Sequence, residues 1–374
     1  MFSILYGYTF ILSQSEYGAD NGRIVKEFET VSEMDIDGFK YYLEDEDTTD
    51  LFLPLSFYSV SRISKDPHVL YAFFAAIYSI FFILCFGLIL QLLSNKKNNY
   101  SIIIFAILFF VYIRFSSING VRFWIACFIY IYGVLKILLH SNYWYLLMVL
   151  FTPLIHFSYF FGVMIVICYL LIGRKINYCY VLLAISVVFP VEMFTKYLQN
   201  SGLFVLKVES YFREDNVLIE KEKRADTNFY IEWGATIAQK FMTFALFIPR
   251  IFKSDSGFDK EENRLYSFLV VFLSFLNFSS YSFEVYRRFF EIFIMICLFF
   301  FIKVLSNENF KFKSVKLMES FSVLTALALL PKILLGFRSG FETLNVDILY
   351  KSLFQLSSFG TDSFYYFLFI NGLI

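Results

Sequence analysis

Apolar runs long enough to cross a bilayer recur along this chain almost from end to end. A bilayer core offers no water to the backbone, so a segment crossing it must pair its own N–H and C=O groups, and a helix does so within one segment. The chain therefore reads as all-α: a polytopic integral membrane protein with roughly eleven transmembrane helices and amphipathic helices in large outer loops. Of its 374 residues, 58% are hydrophobic and 22% aromatic, more than a soluble core of this size needs. Net charge is zero and no basic stripe stands out, which argues against nucleic acid as a partner. The chain is too apolar for intrinsic disorder. Residues 1–374 read as one membrane domain without internal repeats.

The apolar periods place helices at 2–13, 67–93, 100–116, 121–139, 143–155, 157–172, 178–199, 233–252, 264–282, 289–305 and 317–336. The stretch 143–172 is too long for one ordinary span. Its Pro153 and His156 predict a break into two short helices, with a single kinked helix as the alternative. The first segment is short for a span. It reads as a short shielded helix or the second half of a longer one, and it lacks the basic start and cleavage site of a signal peptide.

Loop charge sets the orientation. Lys96 and Lys97, then Arg174 and Lys175, then Lys253, Lys260 and Arg264, then Lys303, Lys311, Lys313 and Lys316 all fall on one side when spans are counted. That side is expected to be cytoplasmic. The other receives loops 14–66 and 200–232, the tail 337–374 and the turns 117–120 and 283–288. In loop 14–66, Val25, Phe28, Val31 and Met34, then Phe39, Tyr42 and Leu43, recur at helical spacing, as in helices lying on a membrane surface. The acidic run Glu44, Asp45, Glu46, Asp47 and Asp50 reads as a solvated face. The five cysteines, Cys85, Cys127, Cys168, Cys179 and Cys297, lie in or beside apolar spans without metal-ligand spacing. They read as small packing residues. Three scattered histidines give no metal site, and no cofactor motif is present.

Against this apolar background the arginines stand out. Arg114 ends one expected span and Arg122 begins the next, with the turn signal Asn119-Gly120 between them. Two convergent guanidiniums can clamp a diphosphate through charge-assisted hydrogen bonds. Snorkelling to lipid headgroups is the plainer alternative. Arg287 and Arg288 repeat the situation at another outer turn, beside Glu284 and Glu291, where a structural ion pair is the alternative. His156, at the expected break, could position or deprotonate a sugar hydroxyl, or simply stabilise a kink. Asp20, at the first outer turn, could bind sugar, act as base, or cap a helix. Glu232, Arg213 and Arg224 belong to the second outer loop, and their spacing carries no readable chemistry.

The segment Arg114 to Ser158 resembles the EpsG/Wzy-like family of bacterial polysaccharide polymerases. The resemblance rests on Asn119-Gly120-Val121-Arg122-Phe123-Trp124-Ile125-Ala126 and on His156-Phe157-Ser158. It extends to Tyr6-Gly7-Tyr8-Thr9-Phe10, Gly18-Ala19-Asp20, Phe28 and Tyr286-Arg287-Arg288-Phe289. The chain departs from the family in having a shorter stretch before its Tyr-Gly. The resemblance implies a metal-independent, cofactor-free glycosyltransferase in the bacterial inner membrane, its site facing the periplasm or exterior. It would join undecaprenyl-diphosphate-linked repeat units into O-antigen, capsule or exopolysaccharide. Partners would be the lipid-linked glycans, the bilayer and a chain-length regulator protein. His156, Arg122 and Asp20 are the catalytic candidates; Arg114, Asn119, Arg122, Arg287 and Arg288 are the diphosphate-binding candidates. An O-antigen ligase-like transferase and a lipid-linked oligosaccharide flippase are the competing readings. A transporter would be expected to line a central path with charges and to show matching halves.

Overall fold

The computed structural model describes residues 2–9, 20–45, 50–93, 100–113, 121–188, 229–251, 258–280, 283–307 and 315–342. The described residues form helices joined by turns, with no strand among them. In chain order they are α1 (Phe2–Tyr8), α2 (Asp20–Ser32), α3 (Ile36–Asp45), α4 (Phe52–Ser61), α5 (Pro67–Leu93), α6 (Tyr100–Tyr112) and α7 (Val121–His140). There follow α8 (Leu146–Ile155), α9 (Tyr159–Ile172), α10 (Ile176–Val188), α11 (Phe229–Ala245), α12 (Ile248–Ile251), α13 (Lys260–Phe278), α14 (Phe283–Ser306) and α15 (Val315–Glu342).

Each of the eleven expected segments contains helix, and among the described residues four helices are long and apolar enough to cross a membrane: Pro67–Leu93, Val121–His140, Val285–Ser306 and Lys316–Phe337. Helix α9, of 14 residues, rises only about 21 Å, short of the ~30 Å hydrocarbon layer. The expected count of eleven full spans is therefore not established by these helices.

Helices α7 and α14 are apolar on every side and buried along most of their length, so they form the centre of the bundle. Around them, α5 and α15 bury one side and turn apolar residues such as Ile80, Ile83, Leu327 and Leu334 outward, as hydrocarbon contact demands. Aromatic rings join the layers: Phe105 of α6 meets Phe301 of α14 at 5.3 Å and Phe321 of α15 at 5.6 Å. Four of the five cysteines are buried and all are free thiols, in keeping with a packing role.

Two close approaches depend on glycine. A Cβ on Gly7 would lie 2.6 Å from the Ala75 Cβ and from the Tyr71 carbonyl oxygen, so α1 can lie flat on α5 only without a side chain there. A Cβ on Gly162 would lie 2.9 Å from the Tyr130 ring, whose hydroxyl donates to the Gly162 carbonyl at 3.0 Å.

Loop 14–66 is more structured than its composition suggested. Helices α2, α3 and α4 pack on one another, with Phe28, Val31 and Phe57 fully buried and the Phe39 and Tyr58 rings stacked at 4.3 Å. The apolar faces expected to lie on a membrane surface are instead covered by protein, including α4, which the sequence reading missed. Arg62 secures the cap by donating to the Met34 carbonyl at 2.7 Å while lying over the Tyr58 ring. Lys65 bonds Glu33 at 2.7 Å, which holds that carboxyl below the usual glutamate range.

The bundle has two chemically different ends. At one, the Asp259 side chain accepts from the Glu261 and Glu262 amides at 2.8 Å each, and Glu262 accepts the Asp259 amide in return, a capping box that starts α13. Lys303 and Asn307, at the far end of α14, bond Glu261 and Glu262. Arg264 donates to the Leu139 carbonyl at 3.3 Å and to the Ser141 hydroxyl, satisfying orphan groups where α7 stops. Ser141 itself takes φ 52°, the left-handed turn common after a helix. These contacts put the ends of α7 and α14 and the start of α13 together. The starts of α7 and α14 therefore lie at the opposite end.

Candidate functional site

At that opposite end, α8 stops and α9 begins. Pro153 has no N–H for the Val149 carbonyl, and the Thr152 hydroxyl donates to that oxygen instead, at 2.7 Å. The helix then breaks at His156, which is extended with φ −151° and ψ 117°. The break expected from Pro153 and His156 is present, and two short helices replace one long span. Buried there, the His156 Nδ1 faces the Ser158 hydroxyl at 2.8 Å and accepts the Ser158 amide at 3.3 Å. An Nδ1 that accepts an N–H carries no proton, so the neutral ring holds its proton on Nε2.

Arg122 is the second residue of α7. Its Nη1 donates to Asp50 Oδ2 at 2.7 Å. The other carboxylate oxygen, Oδ1, accepts the Phe157 amide at 3.0 Å. One aspartate thus touches both segments that carry the family-like motifs. The acidic run read as a solvated face ends in this residue, which is buried.

Phe123, the next residue on α7, is the hub. Its ring meets His156 edge-on at 5.5 Å, Tyr159 at 5.2 Å and Phe289 at 6.1 Å. The Tyr159 hydroxyl donates to the Phe123 carbonyl at 3.0 Å. Arg288 of α14 places its guanidinium carbon 5.4 Å from the centre of the Phe123 ring, a cation–π contact. Arg288 is half-buried, whereas Arg287 is exposed. His156 and Arg288, from two distant segments, therefore meet at one ring, and Asp50 ties Arg122, the residue before that phenylalanine, to the turn after His156.

Arg114, Asn119, Arg213 and Arg224 lie outside the described residues. Asp20 is the first residue of α2 and Glu232 lies in α11, but their side chains lie outside the described residues, as does that of Glu284.

One turn beyond Arg288, Glu291 pairs with Lys332 of α15, and Lys332 also lies 5.1 Å from the centre of the Tyr112 ring at the end of α6. Both charged side chains are largely buried. Glu291, one of the two glutamates near this turn, thus has a lysine partner. Lys332 was overlooked, though a lysine inside an apolar span is itself a signal.

Helices α7, α9 and α14 begin at this end and α8 and α13 finish there, so the helix dipoles largely offset one another; the positive charge comes from Arg288 and from Arg122, which shares its charge with Asp50.

The EpsG family model matches residues 1–336. This chain belongs to the EpsG family. The EpsG match spans the Tyr6-Gly7-Tyr8 start, the Asn119–Ala126 segment, His156-Phe157-Ser158 and the Arg287-Arg288 turn, and it reaches past Lys332. EpsG membership suggests a polysaccharide polymerase-like membrane protein. No curated protein and no solved structure matches the chain.

Proposed function

We propose that this EpsG-family protein is a membrane glycosyltransferase that polymerises undecaprenyl-diphosphate-linked repeat units into O-antigen, capsule or exopolysaccharide. The observation that carries this reading is the convergence of His156 and Arg288 on the Phe123 ring, with Asp50 tying Arg122, the residue before Phe123, to the turn after His156. The loop-charge pattern makes this end of the bundle the outer one, so the site faces the periplasm or exterior of a bacterial inner membrane.

In the reaction, an acceptor sugar hydroxyl attacks the anomeric carbon of the donor. The bond from that carbon to the diphosphate breaks, and the diphosphate leaves with the electron pair. Arg122 and Arg288 neutralise the charge that builds on it, an interaction stronger in the transition state than in the ground state. Arg114 and Asn119 would complete the clamp from the turn before α7. The diphosphate is already a good leaving group, so the arginines can do what a metal does elsewhere, and no nucleotide is required.

His156 was expected either to position or to deprotonate the acceptor. Its Nδ1 accepts the Ser158 amide, which puts the proton of the neutral ring on Nε2. The positioning role fits this tautomer: Nε2–H would hold the acceptor hydroxyl or a phosphate oxygen. Asp20 remains a candidate base. A chain-length regulator protein is the proposed protein partner.

A flippase reading is weaker, because Arg122 and Arg288 gather at one end of the bundle instead of marking a path through it. Purified protein incubated with lipid-linked repeat units alone decides the matter. A ladder of longer lipid-linked glycans on a gel is expected. Substrate recovered at its original length would overturn the polymerase, and transfer onto a different lipid acceptor, added in a parallel incubation, would instead favour the ligase-like reading.

A further inference from the structure

We infer that Asp50 is a positioning residue for the transfer reaction, setting the Arg122 guanidinium against the His156 turn. The inference rests on the reading of Arg122 as a diphosphate ligand and goes beyond it by adding a residue no motif marks.

The argument is geometric. Asp50 lies just before α4, in the cap built from loop 14–66. Its two oxygens serve two different segments: Oδ2 takes Arg122 Nη1 at 2.7 Å, and Oδ1 takes the Phe157 amide at 3.0 Å. Arg122 belongs to the start of α7, and Phe157 belongs to the turn between α8 and α9. Asp50 therefore fixes the distance between the cation and the histidine that precedes Phe157. Its side chain is 11% exposed, that of Arg122 25%, so the pair is shielded on the carboxylate side and open on the guanidinium side. Only one guanidinium nitrogen is committed to Asp50. Nη2 and Nε remain to grip a phosphate in the forked geometry that arginine offers.

A carboxylate is the only side chain of this size with acceptors on both sides. Asparagine has one acceptor oxygen and one NH₂, so it can serve Phe157 or Arg122 but sets a donor against a donor at the other. Glutamate is one methylene too long to keep both bonds. The cap formed by α2, α3 and α4 thus reaches the site through one side chain, which gives a largely helical surface loop a part in positioning Arg122.

The test compares purified Asp50→Asn, Asp50→Glu and the charge swap Asp50→Arg/Arg122→Asp with wild type. Folding is followed by thermal unfolding in detergent, and chain extension from lipid-linked repeat units gives kcat and donor KM. Asp50→Asn and Asp50→Glu should each lose about a hundredfold in kcat per folded molecule, the scale expected for misplacing a substrate-positioning group by about 1 Å. The swap should recover folding by restoring an ion pair, yet stay inactive, because the cation now sits on the cap. If Asp50→Asn or Asp50→Glu is folded and turns over at the wild-type rate while Arg122→Ala is inactive, the positioning role is wrong and the diphosphate role stands. If Arg122→Ala itself is fully active, the underlying reading falls. Activity in the swap would overturn both the positioning role and the diphosphate role, because it would proceed without a cation at position 122.

Discussion

The guanidinium of Arg288 lies over the ring of Phe123, 5.4 Å from its centre, one residue past Arg122 on α7. The contact gives the two neighbouring arginines of α14 different duties, since Arg288 is half-buried against the hub and Arg287 is exposed. Replacing Arg288 by Ala should lower the chain-extension rate about a hundredfold, as loss of one transition-state donor does elsewhere. Arg287→Ala should stay within a few-fold of wild type by the same scale. Rates of purified variants on lipid-linked repeat units check this; equal losses at the two positions would contradict it.

The buried Glu291–Lys332 pair gives a stability prediction. Removing one partner leaves an uncompensated charge among apolar helices, which costs about 3–5 kcal/mol, while replacing both by apolar groups is often neutral or better. Lys332→Met and Glu291→Leu should each lower the thermal midpoint in detergent, and the double variant should recover most of the loss. Additive losses would show that the two charges do not act as a pair.

Helix packing at the start of the chain is tested at Gly7. Valine there collides with Ala75 and the Tyr71 backbone, and such overpacking costs about 1–3 kcal/mol. Gly87, in the last third of α5, has nothing within 4 Å of an added Cβ, so Gly87→Ala should gain roughly 0.5–1 kcal/mol. Thermal unfolding of the two variants should move in opposite directions. A Gly7→Val variant as stable as wild type would mean that α1 does not lie on α5.

Orientation is tested in cells with a membrane-impermeant thiol reagent on a background without native cysteines. Glu33→Cys, in the α2–α4 cap, should label from outside, and Asn142→Cys, at the α7–α8 turn beside Arg264, should not. The reverse pattern would place the Arg122 end in the cytoplasm and defeat an outer-face reaction.

Much of this architecture was legible in the sequence because hydropathy and loop charge are local signals. The helix positions followed from apolar period, and the break at His156 from a proline in a run too long for one span. Span length was less legible: the expected helix 100–116 leaves helical geometry after Tyr112. The amphipathic faces of α2 and α3 were also visible, but periodicity tells which face is apolar and not what covers it; here α4 does. Asp50 was hidden for a different reason. It follows four acidic residues that read as solvated, and its partners Arg122 and Phe157 are distant in sequence, so only the fold separates it from its neighbours. Lys332 was passed over as part of a span, although its charge was visible there.

The most direct test of the account is the chain-extension rate of Arg122→Lys and His156→Ala protein, purified and shown to unfold at the wild-type temperature. Arg122→Lys keeps a cation beside Asp50, so the ion pair survives, but it loses the planar fork that fits phosphate oxygens. His156→Ala removes the Nε2–H donor and leaves the α8–α9 break to Pro153 and Asp50. The account predicts that both variants are folded and extend chains about a hundredfold more slowly than wild type. Two folded variants that polymerise at the wild-type rate would contradict it.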